Sequence, residues 1–219
     1  MTAAASSREI VLASVRSATS AVSKEGAWLA EAYQSLPRPY LAAGSLDAEA
    51  KLALLVERLR EYGADVTETT PANLPAAIAA ELAATGKRRF VAPSALPAEW
   101  LAAGFEWHLD ENLPTEEIEE CEGVLTASSA AIADSGTIVL HHGPQEGRRL
   151  LSLLPDTHVC VLAASDVVES LPEYFRGCLE PPARVTWISG PSATADIEMT
   201  RIKGVHGPRF LHVLLVRNV

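Results

Sequence analysis

The sequence contains few cysteines, and they lie far apart. Its 219 residues include 3 cysteines, at Cys121, Cys160 and Cys178. A structural zinc site or an iron–sulfur cluster needs several thiolates at short spacings such as C-x-x-C, and no such pair is present. We therefore expect this chain to hold no metal and no cofactor, and its scattered thiols are typical of a reducing cytoplasm.

Long apolar runs and basic stretches are also missing. No apolar run approaches the roughly 18 residues that a membrane span requires. Arg8, Glu9 and Arg16 interrupt the first apolar stretch, which argues against a signal peptide. Lys and Arg number 18 against 28 Asp and Glu, so the net charge is −10 and a nucleic-acid partner is not expected. The sequence predicts a cytoplasmic protein without a membrane span.

What the sequence does contain is the alternation that is typical of an α/β protein. Over residues 45–109, apolar stripes at helical spacing alternate with short β-rich runs. After Gly123 several β-rich runs follow one another without a helix between them. This pattern predicts an α/β domain over residues 45–219, with a mixed, mainly parallel sheet flanked by helices. Residues 1–44 are expected to form an N-terminal helical arm.

Local signals place the individual elements. Ser45 is the expected N-cap of a helix that ends at Gly63, because a hydroxyl begins helices and a glycine ends them. The other expected helices cover residues 7–20, 74–84, 98–103, 115–118 and 167–178. The expected strands cover residues 64–67, 89–92, 105–109, 123–126, 130–133, 137–141, 157–162, 184–188 and 210–216, with antiparallel pairing after Gly123.

The most polar stretch near the end of the chain, residues 187–208, reads WISGPSATADIEMTRIKGVHGP. It follows a predicted strand, where backbone N–H groups and hydroxyls can meet an anion. Ser192 or Thr194 would cap a following helical turn, and the plain alternative is a turn and a cap without a ligand. The residues predicted to bind a small anion here are Ser189, Gly190, Ser192, Thr194, Asp196, Gly204 and Gly207.

A second polar turn, residues 134–137, separates two apolar runs in AIADSGTIVL. Such a turn is ordinary hairpin chemistry. We nevertheless predict that it joins the 187–208 stretch in one polar pocket, to which it contributes Ser135, Gly136 and Thr137. The candidate catalytic groups of that pocket are a carboxylate base and a proton donor. They are Asp134 or Glu198 and His206.

Three segments together resemble the LUD-domain family. They read AAIADSGTIVL, GRRLLSLLPDTHVCVL and SGPSATADIEMTRIKGVHGPRFLHVLLV. The resemblance implies a fold similar to the sugar-phosphate isomerase and CoA-transferase group. It also implies a role in oxidising L-lactate to pyruvate beside two partner proteins that carry iron–sulfur clusters. The family usually has glutamate in place of Asp134, threonine in place of Ser135, and arginine or lysine in place of Ala193. The nearby cations that could replace the missing one are Arg148, Arg149, Arg201 and Lys203.

Three functions follow from these patterns. The first is an accessory component of an L-lactate oxidation system, which works with iron–sulfur proteins or other copies of itself and has its own small-anion pocket. The second is a stand-alone enzyme for CoA thioesters or sugar phosphates that uses Asp134 or Glu198 as nucleophile or base. The third is a structural subunit whose polar turns are only turns. The density of motifs favours the first, and whether the chain is itself catalytic is left open.

The histidines and cysteines outside these segments are expected to be structural. His141 and His142 should point to opposite faces of a strand, which makes joint metal binding improbable. His158 and Cys160 should share one face of a buried strand as a packing pair, and His212 lies within an apolar strand.

Overall fold

The computed structural model describes residues 6–19, 26–37, 44–178, 182–194, 202–204 and 206–217. The chain divides into two compact units, Met1–Tyr40 and Leu41–Val219. The described residues of the first unit form helices α1 (Ser7–Thr19) and α2 (Gly26–Ser35), which confirms the expected first helix. No side chain of α1 is buried, and Ile10 and Val15 are more than half exposed.

The second unit contains the remaining helices. Asp47 caps the first of them, because its side chain accepts a hydrogen bond of 2.8 Å from the backbone N–H of Ala50. The predicted cap at Ser45 is therefore wrong by two residues, whereas Gly63 does follow the helix end, with a φ of 85°. The described helices of this unit are α3 (Ala48–Glu61), α4 (Leu74–Ala84), α5 (Thr115–Glu119) and α6 (Leu171–Gly177).

A parallel sheet of six strands forms the centre of the second unit. Its spatial order is β1-β12-β7-β4-β2-β3. The strands are β1 (Asp65–Thr69), β2 (Arg89–Pro93), β3 (Glu106–Asp110), β4 (Gly123–Ala127), β7 (Thr157–Ala163) and β12 (Phe210–Val216). The two longest strands, β7 and β12, pair along their whole length, as expected for near-continuous apolar runs that are covered on both faces.

Alternate side chains of β12 point to opposite faces of this sheet. Leu211, Val213 and Leu215 pack in a core with α3. Leu214 and Val216 point the other way and pack against α4. Helices therefore cover both faces, and the predicted α/β class with a mainly parallel sheet is confirmed.

A second sheet of four short strands covers part of the α3 face. Its order is β8-β5-β6-β9, formed by β5 (Ala130–Ile132), β6 (Thr137–Leu140), β8 (Val167–Val168) and β9 (Thr186–Ile188). The pairing of β5 with β6 is antiparallel, as expected. The mixed character of the fold comes from this sheet.

Three local predictions are wrong. The helix expected over 167–178 begins only at Leu171, because residues 167–168 pair with β5. The helix expected over 98–103 is a single 3₁₀ turn, Ala98–Trp100, because the backbone N–H of Leu101 bonds the carbonyl of Ala98 three residues back and Leu101 then leaves the helical conformation, with a ψ of 77°. No helical turn begins at Ser192 within the described residues, because β10 (Ala193–Thr194) pairs with β11 (Ile202–Lys203).

The order of the parallel strands reverses between β2 and β4. Strand β3 lies on one side of β2, and β4 lies on its other side. Strands β7 and β12 come next to β4, in that order, so the chain changes direction across the sheet after β3. In open α/β sheets such a reversal opens a crevice at the carboxyl ends of the two strands. None of the helices in the described part of the chain is long and apolar enough to cross a membrane.

Candidate functional site

A cavity of about 250 Å³, the inter-sheet cavity, lies between the two sheets of the second unit. The turn after β9 and residues 206–208 line one side of it, and the first residues of β7 and β12 line the other. The predicted residues that it brings together are Ser189, Gly190, Ser192, His206 and Gly207. The cavity thus lies at the carboxyl end of β9 and at the amino ends of β7 and β12.

Ser192 joins the two segments that line this cavity. Its backbone N–H donates to the carbonyl of Pro208 at 2.8 Å, and its carbonyl accepts from the N–H of Gly204 at 2.8 Å. Its hydroxyl accepts a hydrogen bond of 3.2 Å from the backbone N–H of His206. The predicted residues around 190 and 206 are therefore neighbours because of backbone pairing.

Two of the predicted glycines have a structural cause. Gly190 has a φ of 78°, and a Cβ there would lie 2.6 Å from the Cβ of Tyr62. Gly136 has a φ of 59°, and a Cβ there would lie 2.7 Å from the Cβ of Arg58. Both turns press against the end of α3, so packing against this helix is sufficient reason for glycine at each position.

A chain of three hydroxyls connects the two predicted turns. The Oγ of Ser135 lies 2.8 Å from the Oγ1 of Thr137, which lies 2.7 Å from the Oγ of Ser189. Thr137 is buried and is the link between them. The two turns expected from the sequence to share a pocket are thus in contact through their hydroxyls.

Asp134, however, faces a different space. Together with Ser135 it lines a separate cavity of about 400 Å³, whose other walls are Arg58, Glu61 and Tyr62. Arg58 there forms an ion pair of 2.6 Å with Glu61. The structure therefore does not bring Asp134 to the inter-sheet cavity with His206.

Some predicted residues lie outside what the structure describes. Asp196 and Glu198 lie outside the described residues, as does Arg201. Thr194 belongs to β10 and Lys203 to β11, but their side chains also lie outside the description. Their roles stay predictions.

Arg149 supplies a cation to the inter-sheet cavity. Its Nη1 donates to the hydroxyl of Ser152 at 3.0 Å, and burial lowers the pKa of its guanidinium. Within the described residues, no carboxylate forms an ion pair with it. The neighbouring Arg148 is committed elsewhere, because its Nε and Nη2 bind the two carboxylate oxygens of Asp110 at 2.9 and 2.8 Å. Burial of Asp110 opposes its ionisation, but these hydrogen bonds hold its pKa below the ordinary value.

His158 forms part of the inter-sheet cavity wall and is only 1% exposed. Its Nε2 lies 2.8 Å from the Oγ1 of Thr126, and none of the described residues makes a hydrogen bond to its Nδ1. Burial, together with the positive charge of Arg149, lowers the pKa of His158 to about 4. The imidazole is therefore neutral at neutral pH and keeps one nitrogen for a ligand.

The other histidines and the cysteines have structural surroundings. Burial raises the pKa of Cys160 to about 12, so it does not form a thiolate beside His158, and the packing interpretation holds for Cys160 but not for His158, which lines the cavity. His141 contacts the hydroxyl of Tyr174 at 2.6 Å, whereas His142 contacts Thr186 at 2.8 Å, so the two point apart. In the described ranges, no group of three or more His, Cys, Asp or Glu side chains is placed to hold a metal ion.

Among the described residues, the inter-sheet cavity offers the guanidinium of Arg149, the neutral imidazole of His158, the imidazole of His206 and several hydroxyls. A guanidinium can bind a carboxylate through two parallel hydrogen bonds, and a neutral imidazole can bind a hydroxyl or a carbonyl oxygen. Sequence reasoning named Arg149 only as one of several nearby cations and treated His158 as a packing residue. The available signal for His158 was its position as the second residue of a strand, near the open end of the sheet.

The comparisons with known proteins agree with this architecture. Residues 52–216 match the model of the LUD domain. The chain belongs to the LUD-domain family. It is 39% identical over 187 residues to a protein named lactate utilization protein C from Deinococcus radiodurans, covering 84% of this chain and 87% of that protein. A protein of the same name from Geobacillus thermodenitrificans is 30% identical over 179 residues, which are 72% of this chain and 74% of that protein.

A solved structure gives the same result for the fold. This LUD-domain chain is similar to the crystal structure of a DUF162 family protein from Deinococcus radiodurans, with a TM-score of 0.67 and 34% identity. The similarity covers 78% of this chain and 99% of that one.

Proposed function

We propose that this LUD-domain protein takes part in the utilisation of L-lactate and that its inter-sheet cavity binds a small carboxylate such as lactate or pyruvate. The names of its relatives support the process. The observation that carries the binding proposal is Arg149, a solvent-accessible arginine that lines the cavity without a carboxylate partner among the described residues, beside the neutral His158. A bound carboxylate would accept hydrogen bonds from this guanidinium.

The electrons removed from lactate would leave through other proteins. Oxidation of lactate to pyruvate releases two electrons, and an iron–sulfur carrier needs clustered thiolates. Cys121 and Cys160 are buried, and their pKa values are raised by burial to about 11 and about 12. We therefore propose that the chain holds no cluster and acts as an accessory component that associates with iron–sulfur proteins or with copies of itself.

Growth on L-lactate tests the role of the cavity. In a strain that lacks the gene, the unchanged gene should restore growth on L-lactate as sole carbon source, whereas Arg149→Gln should not. Arg88→Gln removes an exposed charge away from the cavity and should restore growth fully. Full growth of the Arg149→Gln strain, at equal protein level, would remove the cavity from the proposal.

Purification from lactate-grown cells tests the partners. A tagged chain should retain iron-containing proteins, and the chain purified alone should contain far less than one equivalent of iron. One equivalent of iron on the isolated chain, or its recovery free of any iron protein, would contradict the accessory role. The alternative of a stand-alone enzyme that uses Asp134 or Glu198 stays a prediction, and no contact of Asp134 favours it.

A further inference from the structure

A second cavity lies where the order of the parallel strands reverses. This switch-point cavity has a volume of about 420 Å³ and is lined by residues just beyond the carboxyl ends of β2 and β4, including Ala95, Ser128 and Ser129. The crevice at a reversal of strand order is where open α/β sheets bind ligands. The position therefore singles out this cavity independently of its side chains.

Glu146 provides a buried carboxylate to the switch-point cavity. It is 5% exposed and lines the cavity. One of its oxygens accepts a hydrogen bond from the hydroxyl of Ser129, and the other accepts one of 3.2 Å from the backbone N–H of Gly143. No Lys, Arg or His in the described part of the chain forms an ion pair with it. A buried carboxylate without a cation is costly, so its retention calls for a further partner.

The hydroxyls beside Glu146 present acceptors to the cavity. Ser129 has one hydroxyl proton, and Glu146 accepts it. Ser128 donates its own proton to the carbonyl of Val161 at 3.0 Å. Each hydroxyl oxygen thus keeps only lone pairs for a ligand, and a carboxylate also only accepts. The remaining polar side chain of the lining, Gln145, is exposed and uncharged.

We propose that the switch-point cavity binds the primary ammonium group of a small amine. An ammonium carries three N–H donors, no acceptor and one positive charge. These match the three acceptors of Glu146, Ser128 and Ser129 and the single negative charge among them. The proposal does not depend on lactate binding, because none of these residues lines the inter-sheet cavity.

The surroundings also limit the amine. Arg148 and Arg149 line a neighbouring cavity that shares Gly143 and Pro144 with the switch-point cavity. Arg148 is paired with Asp110 there, so the positive charges of this neighbouring cavity that have no carboxylate partner among the described residues are Arg149 and Arg184, and they oppose a second cation nearby. The amine therefore carries one ammonium, with a neutral or anionic remainder, and a polyamine does not fit.

Titration of the full chain with methylammonium chloride tests this proposal, followed by NMR of the backbone amides of Ser129 and Gly143. We expect a saturable shift at both amides, and at least a tenfold weaker association with Glu146→Gln. Tetramethylammonium chloride at the same ionic strength has the charge but no N–H donor, and ethylene glycol has donors but no charge. Neither should produce a saturable shift. Glu111→Gln removes an exposed carboxylate and should bind methylammonium like the unchanged chain.

Several outcomes would overturn the proposal. They are no saturable shift with methylammonium, an equal response to tetramethylammonium, tighter binding of ethylene glycol, and unchanged binding by Glu146→Gln. If Glu146→Gln does not fold, as judged by circular dichroism, Ser128→Ala decides the matter. This variant removes one acceptor and leaves the contact of Ser129 with Glu146 in place. It should weaken methylammonium binding about threefold or more, and unchanged binding would contradict the proposal.

Discussion

The inter-sheet cavity and the switch-point cavity differ in the charge that they present. Arg149 and the neutral His158 line the first, whereas Glu146 and two hydroxyls with committed protons line the second. The first lies at the amino ends of β7 and β12, and the second lies at the carboxyl ends of β2 and β4. Strand direction therefore explains only the second cavity.

This difference shows how one sheet supports two kinds of site. The carboxyl ends of parallel strands open a crevice wherever the strand order reverses. The inter-sheet cavity exists for another reason, because β9 and the turn after it lie opposite the first residues of the large sheet. The most informative experiments are therefore substitutions that affect ligand binding or stability at one cavity and leave the other cavity unchanged.

The largest expected effect is the pH dependence of stability caused by His158. Its folded pKa of about 4 lies below the ordinary value of 6.5, so between these values the unfolded chain binds more protons than the folded one. This contribution to stability is complete above pH 6.5 and decreases as the pH falls toward 4, by roughly 3 kcal/mol in total. Urea unfolding at a series of pH values measures it.

His158→Gln should remove this dependence, and His108→Gln, which changes a half-buried histidine elsewhere, should keep it. Several carboxyl groups also titrate near this pH range, and they are present in both variants, so the difference between the two curves isolates the contribution of His158. Those with a lowered pKa are Glu9, Asp110, Glu122 and Asp156, and Asp166 has a raised pKa. Parallel curves for the unchanged chain and His158→Gln would show that His158 is not held neutral.

The next largest effect concerns carboxylate binding by Arg149. Loss of a hydrogen-bonded charge contact costs about 2 kcal/mol, which corresponds to roughly a 30-fold higher Kd. Isothermal titration of Arg149→Gln with L-lactate should show this loss, while Arg88→Gln should bind within about twofold of the unchanged chain. Methylammonium binding by Arg149→Gln should persist. Equal loss of both ligands would mean that the two cavities are not separate sites.

The smallest effect compares one serine from each cavity. Ser129→Ala removes a donor from a buried carboxylate and should lower the free energy of unfolding by about 1.5 kcal/mol. Ser192→Ala removes only an acceptor for an exposed backbone N–H and should cost about 0.5 kcal/mol. Urea unfolding at neutral pH provides both values. A larger loss of unfolding free energy for Ser192→Ala than for Ser129→Ala would contradict the interpretation that the hydrogen bond of Ser129 is the more buried of the two.

Much of the fold could be predicted because its main elements carry their own signals. Strands β7 and β12 are apolar runs of seven residues, and α4 was predicted over its full length. The errors fall where contacts distant in sequence decide the structure. The predicted helix included Val167 and Val168, but these β-branched residues favour a strand and pair with β5. Ala193 pairs with Lys203 of β11, a partner ten positions further along the chain.

The candidate sites were predictable to a smaller extent. The turn at Ser189–Ser192 could be found because glycine, proline and hydroxyls after a strand are local signals. Arg149 could be named only as one of four nearby cations, and His158 and Glu146 carry little signal of a site, since the significance of these residues comes from their neighbours on other elements. Asp134 shows the opposite error, because a conspicuous turn carboxylate faces away from the cavity that its neighbour Thr137 helps to support.

The position of β12 in the sheet has a consequence for folding. This strand lies between β7 and β1, so it joins the first strand of the sheet to the others. Strands β2, β3, β4 and β7 can pair with one another before β12 is in place, whereas β1 has no other neighbour in the sheet. Completion of the sheet therefore depends on pairing between strands that are far apart in the sequence, which is typical of slowly folding topologies. A variant in which β12 cannot pair would leave the sheet open between β7 and β1.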